Sequence, residues 1–251
     1  MNVSFQLYSA RNFLPWDRVL KRIAALGYTE VEGYGGVFEN PAQFRRLLDD
    51  NGLTMPTAHV SLNDLENDFD KVERIADTLG IKAIFCPYLE ADQRPGDRAG
   101  WVDFAERLSA INRRVAASGR AFGWHNHDFE FRSLADGSVP QQTILEAAPD
   151  IDWEADVAWI VRGGGDPMDW IDRYGPRITA VHVKDIAPEG TADDEDGWAD
   201  VGHGVIDWRA LMAALTERSG TRYFVAEHDN PSDCDRFASR SIAALRAFEE
   251  A

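Results

Sequence analysis

Short β-rich segments recur roughly every 25 to 35 residues along this chain, and amphipathic helical patterns separate most of them. In the first helical pattern, Val19, Leu20 and Ile23 recur with the period of an α-helix and predict a core-facing stripe. Eight alternations of strand and helix in 251 residues match the usual size of a closed parallel (β/α)8 barrel. We therefore predict a TIM barrel built as a single domain over residues 1–251. The predicted strands are Val3–Tyr8, Thr29–Gly33, Met55–Leu62, Lys82–Cys86, Ala121–Asn126, Ile151–Asp156, Ile178–Lys184 and Tyr223–Glu227.

An open, doubly wound α/β sheet is the alternative architecture for such an alternation. That fold normally carries a glycine-rich phosphate loop directly after its first strand, but Tyr8 is followed by Ser-Ala-Arg-Asn-Phe. The one run of glycines, 163–165, lies late in the chain and predicts a tight or mobile loop. The sequence therefore favours the closed barrel. Glycines that follow four helical patterns are expected to end them with positive φ: Gly27, Gly52, Gly80 and Gly119.

The chain carries 26 Lys and Arg against 43 Asp and Glu, a formal net charge of −17. A nucleic-acid backbone or an anionic membrane would repel such a surface, so neither is an expected partner. No stretch of about 18 apolar residues occurs, and the first residues lack a basic segment followed by an apolar run. These features predict a soluble cytoplasmic protein.

Two cysteines, Cys86 and Cys234, lie far apart, and neither belongs to a Cys-x-x-Cys motif. This spacing signals neither a disulfide framework nor a zinc knuckle, so we expect two small buried or half-buried residues. The most acidic segment, 189–200, combines Asp with Gly and Thr after the seventh predicted strand. It predicts a solvated loop, with a lid over the site as the alternative.

Histidines concentrate where the predicted strands end. Because a TIM barrel places its active site at the C-terminal ends of its strands, polar residues there carry functional weight. His203 is the one histidine that lies clearly in a loop. The cluster therefore predicts a polar site rather than isolated core histidines. The residues are His59, His125, His127, His182 and His228.

Carboxylates gather at the same predicted rim, namely Glu30, Glu32, Asp156, Asp185 and Glu227. Buried acids at one rim repel each other and are costly to desolvate, which a divalent cation would remedy. Asp156, His182 and Glu227 are therefore candidate ligands. An oxygen and nitrogen ligand set without a thiolate suits Mn²⁺, Mg²⁺, Co²⁺ or Zn²⁺. The alternative is a network of hydrogen bonds and ion pairs that contains no metal.

Five motifs follow one another in a recognisable order: Gly123–Phe131, Glu154–Trp159, His182–Asp185, Val201–Trp208 and Glu227–Asp229. Together they resemble the sugar isomerase/epimerase family with a xylose isomerase-like barrel. The resemblance covers nearly the whole chain. It implies one divalent metal ion, manganese first, with magnesium, cobalt or zinc as alternatives.

The resemblance also implies where the metal would be held. In that family an acid from strand five joins an Asp, a His and a Glu, and the last three correspond by motif to Asp156, His182 and Glu227. Many members carry a glutamate where this chain has His125. Three readings follow: His125 is a ligand, Glu130 reaches in from the following loop, or the metal site is altered.

The implied reaction moves a proton beside a carbonyl through an enediolate, as in a sugar isomerase or epimerase. Glu227 is the first candidate for the base, and His125 or Glu130 would face it from strand five. Lys184 lies two residues after His182 and so shares its face of the strand. It is expected to hold a substrate group or assist proton transfer, or else to form an ion pair with Glu154 or Asp185.

The expected substrate is a sugar or related polyol. Basic residues at the predicted rim are restricted to Lys184 and Arg162, so the sequence favours an unphosphorylated sugar, an inositol-like ketone or a keto-glycoside. Flat apolar walls would come from Trp124, Trp159 and Trp198. Further substrate contacts are expected from Gln6, Glu32, His59 and His127.

Three alternatives to an isomerase remain open. An inosose-type dehydratase acting on a cyclic keto-polyol would use similar residues, because such members also carry a histidine-rich strand five. A phosphodiesterase resembling DNA-repair endonucleases would need several zinc ions and a basic track, which the charge of −17 opposes. A non-catalytic sugar-binding barrel is the third. Similar proteins are often dimers or tetramers, and a monomer is equally compatible with the sequence.

Overall fold

The computed structural model describes residues 2–249. Eight parallel strands close into a barrel in which β1 pairs with β2 on one side and with β10 on the other. This confirms the predicted barrel and excludes the open sheet. The remaining two strands form an antiparallel hairpin between β7 and β10. The strands are β1 Val3–Gln6, β2 Glu30–Gly33, β3 Thr54–His59, β4 Ala83–Cys86, β5 Ala121–His125, β6 Asp152–Asp156, β7 Ile178–Val183, β8 Asp185–Ile186, β9 Trp198–Ala199 and β10 Tyr223–Ala226.

Helices surround the barrel and bury one face against the strands, as Val19, Leu20 and Ile23 of α1 do. Within residues 2–249, no helix combines the length and the apolar character needed to cross a membrane. The helices are α1 Trp16–Leu26, α2 Pro41–Asp50, α3 Leu62–Asn67, α4 Phe69–Leu79, α5 Arg98–Ala117, α6 Pro140–Ala147, α7 Val157–Arg162, α8 Pro167–Tyr174, α9 Trp208–Arg218 and α10 Cys234–Glu249.

The helix ends follow local signals in the sequence. Asp97 accepts a hydrogen bond from the backbone N–H of Gly100 and so caps the start of α5. Gly27, with φ of 96°, ends α1 in the left-handed region that residues with a Cβ avoid. All four glycines predicted to end helices have positive φ: Gly27, Gly52, Gly80 and Gly119.

Apolar side chains divide into a large cluster, mostly between strands and helices, and a small one formed by Ala83, Phe85 and Ala180. Ala83 and Phe85 alternate with residues of the large cluster along β4, which places the small cluster inside the barrel. Gly123 makes room for it, because a Cβ there would lie 2.8 Å from the Phe85 ring. Phe85 and the two alanines therefore fill part of the barrel interior.

Some predicted element bounds were wrong. The first strand ends at Gln6, because Leu7–Ala10 form a 3-10 helix. The third ends at His59, and Ser61 then caps α3 through a hydrogen bond from the N–H of Asp64. The hairpin of β8 and β9 was not predicted, since each of its strands has only two residues.

The acidic segment 189–200 is only partly the solvated loop that was predicted. Its first half is exposed, but Glu195 and Asp200 are buried. Arg236 of α10 binds both carboxylates, with N–O distances of 2.7 Å to Glu195 and 2.9 Å to Asp200. Arg240 adds a second contact to Asp200 at 3.1 Å. The second half of the segment is thus fastened to the last helix.

Both cysteines are buried, and burial raises the pKa of each thiol to about 12. Because only the thiolate reacts with disulfide reagents, we expect Cys86 and Cys234 to be nearly inert in the folded protein at pH 8. Labelling by Ellman's reagent should be at least about 100-fold slower than in denaturant. Fast labelling of either thiol in the folded protein would contradict this expectation.

Candidate active site

A pocket of about 680 Å³ opens at the C-terminal ends of the barrel strands. His59, His125 and His127 line it together with Trp159 and Glu227. TIM barrels place their chemistry at this end, because the loops that follow the strands converge there. His59 and His125 end strands and Glu227 directly follows one, so the predicted concentration of polar groups faces an accessible cavity.

Three buried residues at the floor of this region form what we call the upper triad: Asp156, His182 and Glu227. One potential ligand atom from each lies within 4.8 Å of the others. Asp156 of β6 pairs in register with His182 of β7, and His182 Nδ1 lies 2.7 Å from Glu227 Oε2 and 3.9 Å from Asp156 Oδ2. The donor set of two carboxylates and one imidazole fits a divalent cation with open coordination positions.

Lys184 is fully buried beside the upper triad. Its Nζ lies 2.7 Å from Asp229 Oδ1, 3.1 Å from Glu227 Oε2 and 3.3 Å from Asp156 Oδ2. The suggested ion pairs with Glu154 or Asp185 are therefore wrong. Burial alone would lower the pKa of Lys184, but the surrounding carboxylates raise it above its ordinary value. The ammonium group stays charged and offsets part of the negative charge.

A second cluster lies one layer deeper in the barrel. Glu154 precedes Asp156 by two residues on β6, so its side chain points to the same interior from a lower position. Glu154 Oε2 lies 2.5 Å from His59 Nε2, 3.1 Å from His125 Nδ1 and 3.5 Å from His182 Nε2. We call His59, His125 and Glu154 the lower cluster. The structure thus brings His125 to Glu154 rather than to Asp156 and Glu227.

Glu32 and Gln6 lie beneath the pocket rather than on its rim. Both side chains are fully buried, and Gln6 Nε2 donates to Glu32 Oε1 at 2.7 Å. The same oxygen lies 2.7 Å from His182 Nε2 and 3.4 Å from His59 Nε2. Glu32 therefore connects the upper triad with the lower cluster.

The buried carboxylates differ in how readily they ionise. Burial and the neighbouring Glu32 charge raise the pKa of Glu154 to about 7. Burial would also raise the pKa of Glu227, but His182 and Lys184 hold it well below its ordinary value. Glu227 is consequently ionised at neutral pH.

Glu130 is held away from the upper triad. Its carboxylate accepts hydrogen bonds from Trp124 Nε1 at 3.1 Å and from the backbone N–H of His127 at 2.9 Å. Burial raises its pKa to about 8. The side chain is fully buried and is not part of the pocket lining.

The remaining predicted substrate contacts divide between pocket and core. Trp159 faces the pocket and contacts the His127 ring with centroids 5.3 Å apart. Trp124 and Trp198 are buried in the core, and Arg162 covers the Trp198 ring at 3.2 Å. The other rim candidates lie elsewhere, with Glu30 beside Asn2 and His228 packed against Phe237. His203 is exposed in a loop, as predicted.

Two arginines at the pocket mouth were missed by sequence reasoning. Arg11 stacks on Tyr8 at 3.8 Å, and Arg94 stacks on Phe129 at 3.5 Å. Both line the pocket although neither belongs to a strand-end motif. They reach the pocket from the segments that follow β1 and β4. No pattern in the sequence indicates that these two segments meet at the same pocket.

Asp185 organises the loop that follows β9. Its carboxylate accepts backbone hydrogen bonds from Ile186, Gly202, Gly204 and Ile206 at 2.9 to 3.1 Å. This buried acid is therefore a structural anchor and makes no contact with the upper triad in the described chain.

Replacing this anchor should loosen the loop. We expect Asp185→Ala to destabilise the protein by roughly 1–3 kcal/mol, because backbone donors lose their shared acceptor. Amide hydrogen exchange at 202–206 should accelerate more than exchange in the barrel strands. Asp193→Ala, at an exposed acid of the neighbouring segment, is the control, and equal exchange rates in the two variants would refute the anchoring role.

The comparisons with known proteins agree with this architecture. A family model described as xylose isomerase-like TIM barrel matches residues 20–248. The chain belongs to this family. The proposed resemblance and the barrel fold are thereby confirmed.

Several solved structures superpose over nearly the whole chain. A sugar phosphate isomerase/epimerase from Parabacteroides distasonis matches with a TM-score of 0.81 and 20% identity, over 98% of this chain and 93% of that one. The probable 3-DHS dehydratase AsbF from Bacillus anthracis matches with a TM-score of 0.76 and 14% identity, over 98% of this chain and 99% of that one. The IOLI protein, solved with a bound zinc atom, matches with a TM-score of 0.74 and 15% identity, over 99% of this chain and 96% of that one.

These likenesses concern the fold, because the sequence identities are low. No curated protein sequence is significantly similar to this chain. Proteins that share this fold thus include a sugar phosphate isomerase/epimerase and a probable 3-DHS dehydratase.

Proposed function

We propose that this xylose isomerase-like barrel is a divalent-metal-dependent sugar isomerase or epimerase acting on a keto-sugar or related polyol. The observation that carries the proposal is the upper triad, in which Asp156, His182 and Glu227 converge within 4.8 Å beside the pocket. An oxygen and nitrogen donor set with open positions is typical of catalytic metal sites.

Asp156, His182 and Glu227 would hold the cation. Manganese is the first candidate, with magnesium, cobalt and zinc as alternatives, since all accept this donor set. When bound, the cation would polarise the substrate carbonyl and neutralise charge developing on the substrate oxygens. His182 is already oriented for this role, because Glu32 accepts a hydrogen bond at its Nε2 and leaves Nδ1 facing Glu227 and Asp156.

Two side chains are assigned to the proton transfer. Glu227 is ionised and lines the pocket, so it would remove the proton from the carbon beside the carbonyl. His125 lines the same pocket from β5 and would return a proton as a neutral imidazole, since burial and the nearby His182 and His59 hold its pKa well below its ordinary value. We assign His125 rather than Glu130, because the Glu130 carboxylate is bound to Trp124 and to the His127 backbone.

Other residues would position the base or the substrate. The charged Lys184 ammonium is fully buried and contacts Asp156, Glu227 and Asp229, so it would position the base rather than touch the substrate. His127 and Trp159 would form one wall of the pocket, and His59 would form part of another. The space between these walls would accept a polar ring substrate.

Isotope exchange tests this proposal directly. The protein, loaded with Mn²⁺, would be incubated with a panel of ketohexoses and inositol-like ketones in D₂O. We expect incorporation of one deuterium at the carbon beside the carbonyl, lost on chelation and restored by Mn²⁺. A protein that binds these sugars without any exchange would be a sugar-binding barrel instead.

Dehydration is the second candidate reaction, and the paired histidines favour it. His125 and His127 both line the pocket, with ring centroids 5.1 Å apart, so two proton-transfer groups lie on one side. One solved barrel of this fold is described as a probable dehydratase. The first proton transfer would be shared, but a hydroxyl would leave as water. Mass spectrometry separates the two reactions, because only dehydration gives a product lighter by one water.

A further inference from the structure

Aromatic side chains form the outer part of the pocket. Besides Trp159, five Tyr and Phe side chains line it, and each lies in a segment that follows a barrel strand. The polar residues His59, His125 and Glu227 lie at the strand ends themselves or directly after them, and so lie deeper. The pocket thus has a polar floor and an aromatic mouth. We call the five aromatic residues the collar: Tyr8, Tyr34, Phe38, Tyr88 and Phe129.

The collar residues approach the pocket from opposite sides of the barrel. Tyr8 follows β1 and Phe129 follows β5, and these two strands lie four positions apart around the closed barrel. Tyr8 contacts Tyr34 edge to face with ring centroids 5.5 Å apart, and Tyr88 contacts Phe129 in the same way at 5.9 Å. Two pairs of aromatic rings therefore flank the mouth.

Arginines hold both pairs of rings in place. The Arg11 guanidinium covers the Tyr8 ring at 3.8 Å, and the Arg94 guanidinium covers the Phe129 ring at 3.5 Å. Arg94 Nη2 also donates a hydrogen bond to the Tyr88 hydroxyl at 2.6 Å. Because these rings are already ordered, a ligand that packs on them would immobilise few additional side chains, which favours binding.

Two of the collar rings are exposed. Residues 2–249 expose five large hydrophobic side chains, and the aromatic ones among them are Tyr8 and Tyr88, at 38% and 39%. Both line the same pocket. Because removal of apolar surface from water is favourable, a ligand that covers both rings would gain affinity from them.

We propose that the collar binds an aromatic aglycone, so that the substrate is an aryl glycoside whose sugar ring reaches the polar floor. The sugar half of this substrate rests on the proposed function, and the aglycone half rests on the collar. Because the aglycone occupies the anomeric carbon of a glycoside, the carbonyl of such a keto-sugar lies at another ring carbon.

The chemistry of the collar favours an aromatic ring over a second sugar. A flat apolar ring can stack on or meet the edges of the rings on both sides without needing hydrogen-bond partners for its faces. A second sugar would place hydroxyl groups between apolar rings, where they lose hydrogen bonds to water. The pocket of about 680 Å³ lies within the range of about 300–1,000 Å³ that is typical for drug-sized ligands, which provides room for two rings.

Matched glycosides test the collar through binding alone. Calorimetry on the Mn²⁺-loaded protein would compare phenyl with methyl β-D-glucopyranoside, phenyl with methyl β-D-xylopyranoside, and both pairs with the disaccharide cellobiose. Tyr8→Ser and Tyr88→Ser remove rings from opposite sides, and Tyr88→Phe removes only a hydroxyl. Tyr174→Ser is the control, because Tyr174 lies on α8 outside the pocket, hydrogen-bonded to Glu146.

We expect the phenyl glycosides to bind about tenfold more tightly than their methyl counterparts, since burial of the phenyl ring and its contacts with the collar add to the binding of the sugar. Each serine variant should remove most of this preference, and Tyr88→Phe and Tyr174→Ser should keep it. The collar would be rejected if methyl glycosides or cellobiose bound as tightly as the phenyl glycosides, if no phenyl glycoside bound, or if the serine variants kept the preference.

Deuterium exchange separates failure of the collar from failure of the proposed function. A phenyl preference that the serine variants lose, in a protein that exchanges no substrate deuterium, would support the collar and reject the isomerase or epimerase. Exchange into free ketohexoses, together with equal affinity for phenyl and methyl glycosides, would overturn the collar and leave the proposed function intact.

Discussion

Glu227→Gln is expected to lower kcat by about 10²–10⁴-fold while sugar binding persists, because the variant loses the proposed proton acceptor and the charge of one proposed metal ligand. The wild-type carboxylate is ionised because His182 and Lys184 lower its pKa. The neutral glutamine amide carries no negative charge and cannot act as the base. Deuterium exchange into the substrate measures the loss directly. Binding would be measured separately by calorimetry on the same metal-loaded variant.

Glu30→Gln provides the matched control. Glu30 is also a strand glutamate, but it is half-buried beside Asn2 and does not line the pocket. Its substitution should leave exchange within about twofold of wild type, in line with the small effects of peripheral changes. If Glu227→Gln exchanged deuterium within tenfold of the wild type, Glu227 would not be the base.

Lys184→Met is expected to destabilise the metal-free protein by about 3–5 kcal/mol, because it leaves buried carboxylates without their counter-charge. Lys184 Nζ lies within 3.3 Å of Asp156, Glu227 and Asp229. Urea denaturation of the chelated protein measures the change. Added Mn²⁺ should recover part of the loss, since a cation bound to the folded state alone shifts the equilibrium towards it.

Lys71→Met serves as the comparison for this charge removal. Lys71 pairs with Asp64 at 3.1 Å, but its side chain is 43% exposed. An exposed pair contributes up to about 1 kcal/mol, so the control should be far milder. Equal destabilisation by the two substitutions would show that burial of the Lys184 network is unimportant.

Much of the fold follows from local patterns. The helical stripe of Val19, Leu20 and Ile23 and the spacing of the strands depend only on neighbouring residues, and they predicted the barrel correctly. The hairpin of β8 and β9 could not be predicted in this way. It depends on burial of Trp198 and on the anchoring of Glu195 by Arg236, which lies 41 residues later.

The site also divides into residues that local patterns predicted and contacts that they could not predict. Asp156, His182 and Glu227 could be selected because each lies at or directly after a strand end, and the structure brings them together. The pairing of His125 with Glu154 could not, since it depends on the register between β5 and β6. The spacing of residues in the sequence does not reveal which side chains of two neighbouring strands lie at the same depth in the barrel.

The pairing of β1 with β10 also sets an order of events during synthesis. Val3 and Phe224 are register partners, so the barrel cannot close before the final strand has left the ribosome. Until then, Asp156 and His182 belong to an incomplete sheet that lacks Glu227. Because chains emerge from the N-terminus onwards, the cavity is assembled only after β10 and Glu227 have emerged. A nascent chain stalled before Tyr223 would expose an unpaired β7 edge and hold only part of the upper triad.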